Sequence, residues 1–293
     1  MVSCLLVCLC LMLAVAYFSL IERNFLGMIQ IRVGPQKMGP IGIFQPLLDA
    51  AKLIFKETVI PEGSFKFGFY LSAGLSLLIS LSLWLIYPSS MPIKFISYGL
   101  LFFFCVSSIN VYCVLGAGWS SNSVYAFLGA VRAAAQSISY EVSMFFILLF
   151  PSYQLCTYSW GYSSNNFPIL FLCFWLFMIW FVTILAETNR APFDFAEGES
   201  ELVSGFNVEY SSVVFTLLFL SEYMNILFIS MATSVWFLYS KSCWFFVFLI
   251  FLVSSVFLVV RGSFPRLRFD KLMLVCWKTF LPFSICMMML VIF

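Results

Sequence analysis

The chain has 293 residues, of which 63% are hydrophobic, 20% are aromatic and only 10% are charged, and its formal net charge at pH 7 is +2. A soluble globular domain carries about 25% charged residues, so this composition excludes an ordinary water-soluble protein. Histidine is absent, which excludes histidine-ligated haem, most zinc chemistry and a Ser-His-Asp hydrolase.

Apolar stretches recur along the whole chain, and each is long enough to cross a bilayer as a helix of about 20 residues. We predict an all-α fold, a polytopic transmembrane helix bundle of about eight spans, with residues 1–293 forming a single membrane domain. Helices satisfy their own backbone hydrogen bonds, which hydrocarbon demands. The predicted spans are about 2–21, 67–87, 97–117, 129–150, 167–186, 210–238, 243–261 and 272–292.

The first apolar run contains Ala14-Val15-Ala16, which resembles a signal-peptidase site. No positive charge precedes the run, and apolar residues continue past this site. Removal of residues 1–16 would leave too little apolar length for a span and would strand a basic loop on the outer side. We therefore expect the run to be the first transmembrane helix.

Long polar loops at 22–66, 118–128, 187–209 and 261–271 alternate with short loops between the predicted spans. Of the 15 basic residues, only Lys94 and Lys241 lie in the short loops, and the other 13 lie in the long loops or at adjoining helix ends. The positive-inside rule then places the long loops on the cytoplasmic or matrix side. Both termini are expected on the opposite side.

The first long loop contains an amphipathic segment at 44–56. Its apolar and charged residues fall on different helical faces: Leu47, Leu48, Ala51, Ile54 and Phe55 on one, and Asp49, Lys52 and Lys56 on the other. This spacing is typical of a helix that lies along the membrane interface. A short connecting helix buried by other chains is the alternative interpretation.

The long loops differ sharply in charge. Residues 187–209 carry six acidic groups and one basic group, a net of −5, whereas residues 22–66 carry six basic and four acidic groups, a net of +2. Residues 261–278 carry five basic groups and one acidic group, a net of +4. Loops of opposite charge on one membrane face should associate, although an ordinary solvated face is the simpler alternative.

Two acidic residues, Glu141 and Glu222, lie inside predicted spans, next to serine and tyrosine residues. A charge at the bilayer centre costs about 2.5–3.5 kcal/mol on insertion scales. A carboxyl group kept there usually faces a polar cavity or takes up a proton. This placement indicates a proton path, and a helix–helix hydrogen bond is the alternative.

Redox and nucleotide motifs are missing from the sequence. The ten cysteines are scattered, with no C-x-x-C pair on a polar loop, which favours small apolar core residues over disulfides or an iron–sulfur cluster. The sequence contains neither a Walker motif nor a Gly-rich dinucleotide turn. The chain is therefore not expected to oxidise a nicotinamide or to carry electrons itself.

Several polar motifs resemble the family of NADH–ubiquinone oxidoreductase chain 1, a membrane subunit of respiratory complex I. They are Glu22-Arg23, IQIRVGP at 29–35, GWSSNS at 118–123, AAAQSISYE at 133–141 and RGSFPRLRFD at 261–270. The most specific motifs are AETNRAPFD at 186–194 and EGESELVSGFNVEY at 197–210. The resemblance covers essentially the whole chain, with one departure, since many relatives carry a lysine where this chain has Val33.

The resemblance implies a proton-pumping NADH:ubiquinone oxidoreductase subunit, which forms the access channel for ubiquinone and the start of a carboxylate proton path. It implies a quinone channel lined or supported by Glu22, Arg23, Arg32, Asp49, Arg190, Asp194, Glu197, Glu199, Glu201, Glu209, Arg266 and Arg268. It implies a proton path through Glu141, Glu187 and Glu222. No catalytic residue, metal ligand or covalently bound cofactor is expected in this chain.

The same resemblance implies the setting of the chain. Ubiquinone would be the substrate, while NADH, FMN and the iron–sulfur clusters would be bound only by partner subunits. Those partners would include the quinone-site subunit that carries the terminal iron–sulfur cluster, and adjacent small membrane subunits. Lipids would also bind, and nucleic acid would not. The location would be the mitochondrial inner membrane, with both termini toward the intermembrane space.

Two other functions stay open at this point. One is the related membrane subunit of a proton-pumping hydrogenase or formate-linked complex, which need not bind quinone. The other is a free-standing secondary transporter. The lack of an internal repeat and the crowding of charge on one side argue against the transporter.

Overall fold

Helices dominate the computed structural model, which describes residues 2–88, 96–163, 168–194, 205–238 and 242–292. Within those ranges no strand occurs, and the all-α prediction is confirmed. The longer helices are α1 (Val2–Ile29), α2 (Gln45–Phe55), α3 (Lys66–Leu83), α4 (Gly99–Ser120), α5 (Val124–Leu155), α6 (Phe174–Glu187), α7 (Ser212–Trp236), α8 (Cys243–Ser263), α9 (Phe269–Val275) and α10 (Leu281–Ile292).

The transmembrane segments are distributed much as the apolar runs predict. In the described part of the chain, seven helical segments are long and apolar enough to span a bilayer, and α6 is a shorter apolar helix. The last span consists of α9 and α10, joined by a π-helical turn at Cys276–Phe280. These eight segments agree with the polytopic bundle expected from composition.

The fifth span is broken rather than continuous. A short helix at Ile169–Leu172 precedes α6, and the two meet at Cys173, whose backbone is not helical. With 14 residues, α6 is about 21 Å long, shorter than the roughly 30 Å hydrocarbon core. The fifth span therefore needs the preceding short helix as well.

Helices extend further into the polar segments than the sequence pattern indicates. The loop predicted to begin at residue 22 begins only after Ile29, because α1 continues through Glu22 and Arg23. Phe25, Leu26 and Ile29 prolong its apolar side, and both charged residues have ion-pair partners. The predicted loop 118–128 likewise shrinks to three residues between α4 and α5.

Small residues allow α4 and α5 to pack closely next to the three-residue turn that joins them. A Cβ atom added to Gly118 would lie 2.3 Å from the Cβ of Ala130 and 2.9 Å from the carbonyl oxygen of Ala126. Ala126 and Ala130 are fully buried and lie one helical turn apart on α5. This contact fixes α4 against the helix that carries Glu141.

Hydrogen bonds gather the polar segments at one end of the bundle. The backbone N–H of Phe65 donates to the carbonyl of Ser120 at 3.0 Å, and the backbone N–H of Val59 donates to Ser211 Oγ at 3.1 Å. The backbone N–H of Leu267 donates to the carbonyl of Pro192 at 3.1 Å. Segments from all four predicted polar loops therefore meet, and the candidate site lies among them.

Candidate functional site

A buried ion-pair cluster centred on Glu22 joins four segments of the chain. Glu22 is only 4% exposed, and its carboxylate accepts hydrogen bonds from Arg261 of α8 and from the hydroxyl of Tyr223 of α7. Arg190 Nη1 lies 3.6 Å from Glu22 Oε1. The Arg190 guanidinium also lies 4.4 Å from the centre of the Tyr223 ring, which is a cation–π distance.

The partners in this cluster compensate the negative charge of Glu22, whose burial would otherwise be unfavourable in free energy. An unpaired buried carboxylate is strongly destabilising, whereas one that has a cationic partner and a hydrogen-bond donor on each oxygen is tolerated. Here a guanidinium donates to one oxygen and a phenol to the other. The Glu22 cluster, defined as Glu22, Arg190, Tyr223 and Arg261, therefore locks the end of α1 against α7 and α8.

Two further ion pairs flank the Glu22 cluster. Arg23 Nη1 lies 2.5 Å from Asp49 Oδ2 and so ties α1 to α2. The other oxygen of Asp49 accepts a hydrogen bond from Gln45 Nε2 at 2.9 Å. Arg266 Nη2 lies 3.3 Å from Asp194 Oδ2. The predicted attraction between the acidic and basic loops is thus realised at Asp194 and Arg266.

The Arg23–Asp49 pair lies next to an apolar surface on α2. Along α2, Leu47 and Leu48 are 44% and 45% exposed. Together with Met38, Gly39 and Phe44 they line an open groove of about 410 Å³. A half-exposed helix with one apolar face agrees with the predicted amphipathic segment at 44–56.

The predicted quinone-channel residues do not all meet. The structure brings together Glu22, Arg23, Asp49, Arg190, Asp194 and Arg266 in the contacts above. Arg32 is exposed and donates to Gln30 at 2.8 Å, while Arg268 pairs with Asp270 at the surface, 2.9 Å away. Glu209 is half-buried. Glu197, Glu199 and Glu201 lie outside the described residues.

The predicted proton-path residues line or adjoin two small cavities that have both polar and apolar side chains in their walls. The first, of about 40 Å³, is bordered by both Glu222 and Glu187. The second, of about 30 Å³, is bordered by Glu187 and Ser107. Ser107 Oγ donates to Glu141 Oε1 at 2.8 Å. The order across the bundle is therefore Glu222, Glu187, Ser107 and Glu141.

The wall between the two cavities is polar. Asn110 and Asn225 border both cavities, as does Glu187. Glu187 Oε2 and Asn225 Oδ1 are buried and accept no hydrogen bond from the described residues. A water molecule needs about 10–15 Å³ and two to four polar partners. Each cavity therefore has the volume and the polar lining for one water molecule.

Tyr210 fixes the end of the acidic loop. Its hydroxyl donates to the carbonyl of Ala117 at 3.1 Å and lies within 3.3 Å of the hydroxyls of Ser72 and Ser120. Its ring stacks on Phe69 with centroids 4.0 Å apart. Burial raises the pKa of the Tyr210 phenol, so the side chain remains a neutral donor.

Several residues of the site were not predicted from the sequence. Tyr223 and Arg261 complete the Glu22 cluster, while Ser107, Asn110 and Asn225 complete the cavities. The only sequence signal for Tyr223 is its position next to Glu222. No group of three metal-ligating side chains occurs in the described ranges.

A larger groove, of about 630 Å³, lies on the outer surface between α3 and α4. Its lining is mainly apolar and includes Leu71, Leu75, Ile109 and Trp119. It contains no acidic residue. The groove therefore has the character of a surface that faces lipid or another subunit, and it is separate from the charged site.

Comparison of the sequence with known proteins shows which family the chain resembles. Residues 2–292 match the family described as NADH dehydrogenase. The chain is 50% identical over 291 residues to NADH-ubiquinone oxidoreductase chain 1 of Aedes aegypti, an alignment that covers 97% of this chain and 92% of the relative. The same-named proteins of Locusta migratoria and Salmo salar are 47% and 44% identical, with 96% and 95% of this chain and 91% and 89% of the relatives covered.

Proposed function

The chain belongs to the NADH dehydrogenase family, and from this we propose that it forms the ubiquinone passage and the first part of the proton path in NADH:ubiquinone oxidoreductase. It is a multi-pass membrane subunit of that enzyme complex, respiratory complex I, in the mitochondrial inner membrane. Its partners are other subunits of the complex. The names of the relatives favour this assignment over a hydrogenase-linked subunit or a free-standing transporter.

The division of labour in the proposal is the one that the family resemblance implies. Ubiquinone is the substrate that enters here, and NADH, FMN and the iron–sulfur clusters are bound by partner subunits, one of which carries the terminal cluster beside the quinone. The charged end of the bundle faces the matrix and both termini face the intermembrane space. The excess of basic residues in the long loops supports this orientation.

The observation that carries the proposal is the meeting of apolar and charged surface at α2. An isoprenoid tail is apolar, so it needs an opening that is continuous with lipid, and the exposed groove at Phe44, Leu47 and Leu48 supports such an opening. The quinone head group is polar and gains protons with its electrons. The pair Arg23–Asp49 and the adjoining Glu22 cluster supply charged and hydrogen-bonding groups next to that groove.

The row of acids supports the proton-path half of the proposal. Carboxyl groups at mid-membrane are costly and are retained where they exchange protons. Glu222 and Glu187 share one water-sized cavity, and Glu187 shares the next with the serine that donates to Glu141. A proton can therefore pass along these carboxyls through one water molecule at each gap.

Replacing Asp49 with asparagine tests the quinone passage. We expect about a fivefold loss of ubiquinone reduction, mainly as a higher KM, because the ion pair with Arg23 is half-exposed and worth at most about 1 kcal/mol. Reduction of an artificial acceptor that takes electrons before the quinone should be unchanged. The two activities are compared in assembled complex, with Glu57→Gln on the exposed loop after α2 as the control. Equal loss with both acceptors would mean that the substitution damages assembly.

Replacing Glu141 or Glu222 with glutamine tests the proton path. Glutamine keeps the shape of the side chain and one hydrogen bond but cannot exchange a proton, so proton pumping should fall by about tenfold or more at Glu141. Glu222→Gln should lose less, because water in the cavity that Glu222 shares with Glu187 can partly bridge that gap. Protons moved and quinone reduced are measured in vesicles, with exposed Glu62→Gln as the control. Normal pumping in both variants would assign these acids a structural role.

A further inference from the structure

A single buried amide on α5 holds the segment that separates the two halves of the site. Gln136 is completely buried. Its Nε2 donates to the carbonyl oxygen of Ala186 at 2.8 Å and to that of Phe193 at 2.9 Å. These acceptors immediately precede Glu187 of the proton path and Asp194 of the quinone end. One side chain therefore bridges the beginning and the end of the turn that joins these two acids.

The surrounding contacts show why this bridge controls position. Between the two acceptors the chain leaves α6, brings Arg190 to the Glu22 cluster and then passes through the cis bond at Ala191-Pro192. Within the described residues, the turn is also held at Pro192 by the backbone N–H of Leu267. Gln136 lies five residues before Glu141 on the same helix, so the amide also fixes the position of the turn relative to Glu141.

We propose that Gln136 is a positioning residue that transmits movement of the quinone-side turn, residues 188–194, to Glu187 and α5. This inference rests on the proposed function and adds a specific coupling element to it. Both N–H groups of the Gln136 amide donate hydrogen bonds, one to Ala186 and one to Phe193. A displacement of Phe193 on the quinone side therefore pulls on the amide group that also holds Ala186. Coupling between sites is carried by packed and hydrogen-bonded elements of this kind.

The choice of glutamine supports a role beyond filling space. Ala130, Ala133 and Ala134 show that neighbouring buried positions of α5 take small apolar residues. Gln136 instead carries a polar group into the interior, and its Oε1 has no hydrogen-bond partner among the described residues. A buried polar atom without a partner is unfavourable, and the two donated bonds offset that cost.

Replacing Gln136 with methionine tests the proposal in assembled complex. Methionine keeps the length of the side chain but has no donor, so the turn loses both bonds without gaining a charge. Amide hydrogen exchange in residues 188–194 should rise by about tenfold. The number of protons moved per quinol should fall by about twofold, while reduction of the artificial acceptor is unchanged. Gln154→Met, an exposed position on the same helix, is the matched control.

The measurements distinguish a failure of this inference from a failure of the proposed function. A Gln136→Met complex with a normal proton-to-quinol ratio would overturn the positioning role, even if less complex assembles. Gln136→Leu, which likewise has neither a donor nor a charge, gives the same measurement if the methionine variant does not assemble, and a normal proton-to-quinol ratio in that variant would also overturn the positioning role. Normal pumping by Glu141→Gln and Glu222→Gln would instead contradict the proton path itself, while faster exchange in residues 188–194 would still be measurable.

Discussion

Replacing Glu22 with alanine is expected to destabilise the assembled subunit by about 3–5 kcal/mol, the usual cost of breaking a buried ion pair by removing one partner. The carboxylate faces two guanidinium groups, those of Arg190 and Arg261, and it accepts a hydrogen bond from the hydroxyl of Tyr223. Its removal leaves two guanidinium groups close to each other, of which Arg190 is 13% exposed and Arg261 is 36% exposed. The amount of assembled complex and its thermal midpoint should both fall strongly.

Two companion variants show whether the effect arises from the ion pairs. Glu22→Gln keeps the shape and one acceptor, so its loss should be smaller than that of alanine. Glu62→Ala removes an acid from an exposed loop position and should change stability by less than about 0.5 kcal/mol. A Glu22→Ala complex that assembles normally with an unchanged thermal midpoint would contradict the role assigned to the Glu22 cluster.

Gly118→Ala and Gly74→Ala should have opposite effects, although each adds one methyl group to a transmembrane helix. At Gly118 the methyl group would lie 2.3 Å from the Cβ of Ala130, and relief requires a shift of α4 or α5. Overpacking of this kind costs about 1–3 kcal/mol. At Gly74 no atom lies within 4 Å, so the higher helix propensity of alanine should stabilise α3 by up to about 1 kcal/mol.

The pair is measured by thermal unfolding of the complex and by its NADH:ubiquinone reductase activity. Gly118→Ala should lower both, because α5 carries Glu141 and Gln136. Gly74→Ala should leave activity unchanged. If both variants lowered the thermal midpoint equally, the close approach of α4 and α5 would not be the cause.

The sequence predicted the fold well because hydrocarbon leaves few alternatives. Each apolar run must form a helix that satisfies its own backbone, and the predicted spans agree with the helices to within a few residues at most ends. The largest disagreement, at the end of the first span, occurs where charge and helix overlap. Polar composition suggested a loop at Glu22 and Arg23, but charged residues can continue a helix when partners from other segments neutralise them, as Arg261 and Asp49 do here.

The site was predicted only in part, since motifs give residue types but not distances. The family resemblance is confirmed, and it singled out Glu22, Arg190 and Asp49, which the structure brings into ion pairs. Tyr223 reaches Glu22 across 201 positions of the chain, a separation at which no local pattern carries information. Gln136 was part of a recognised motif, yet its two acceptors are backbone carbonyls, which every residue possesses.

The residues of the Glu22 cluster lie far apart in the sequence, and this separation affects when the cluster can form during biosynthesis. Arg261 is made 239 residues after Glu22, which corresponds to roughly 10–50 seconds of translation at about 5–20 residues per second. During that interval Glu22 has been synthesised, whereas its partner Arg261 does not yet exist. The cluster closes only when α8, the seventh transmembrane span, has been inserted with the correct orientation, so its formation acts as a late checkpoint on the topology of the first seven spans.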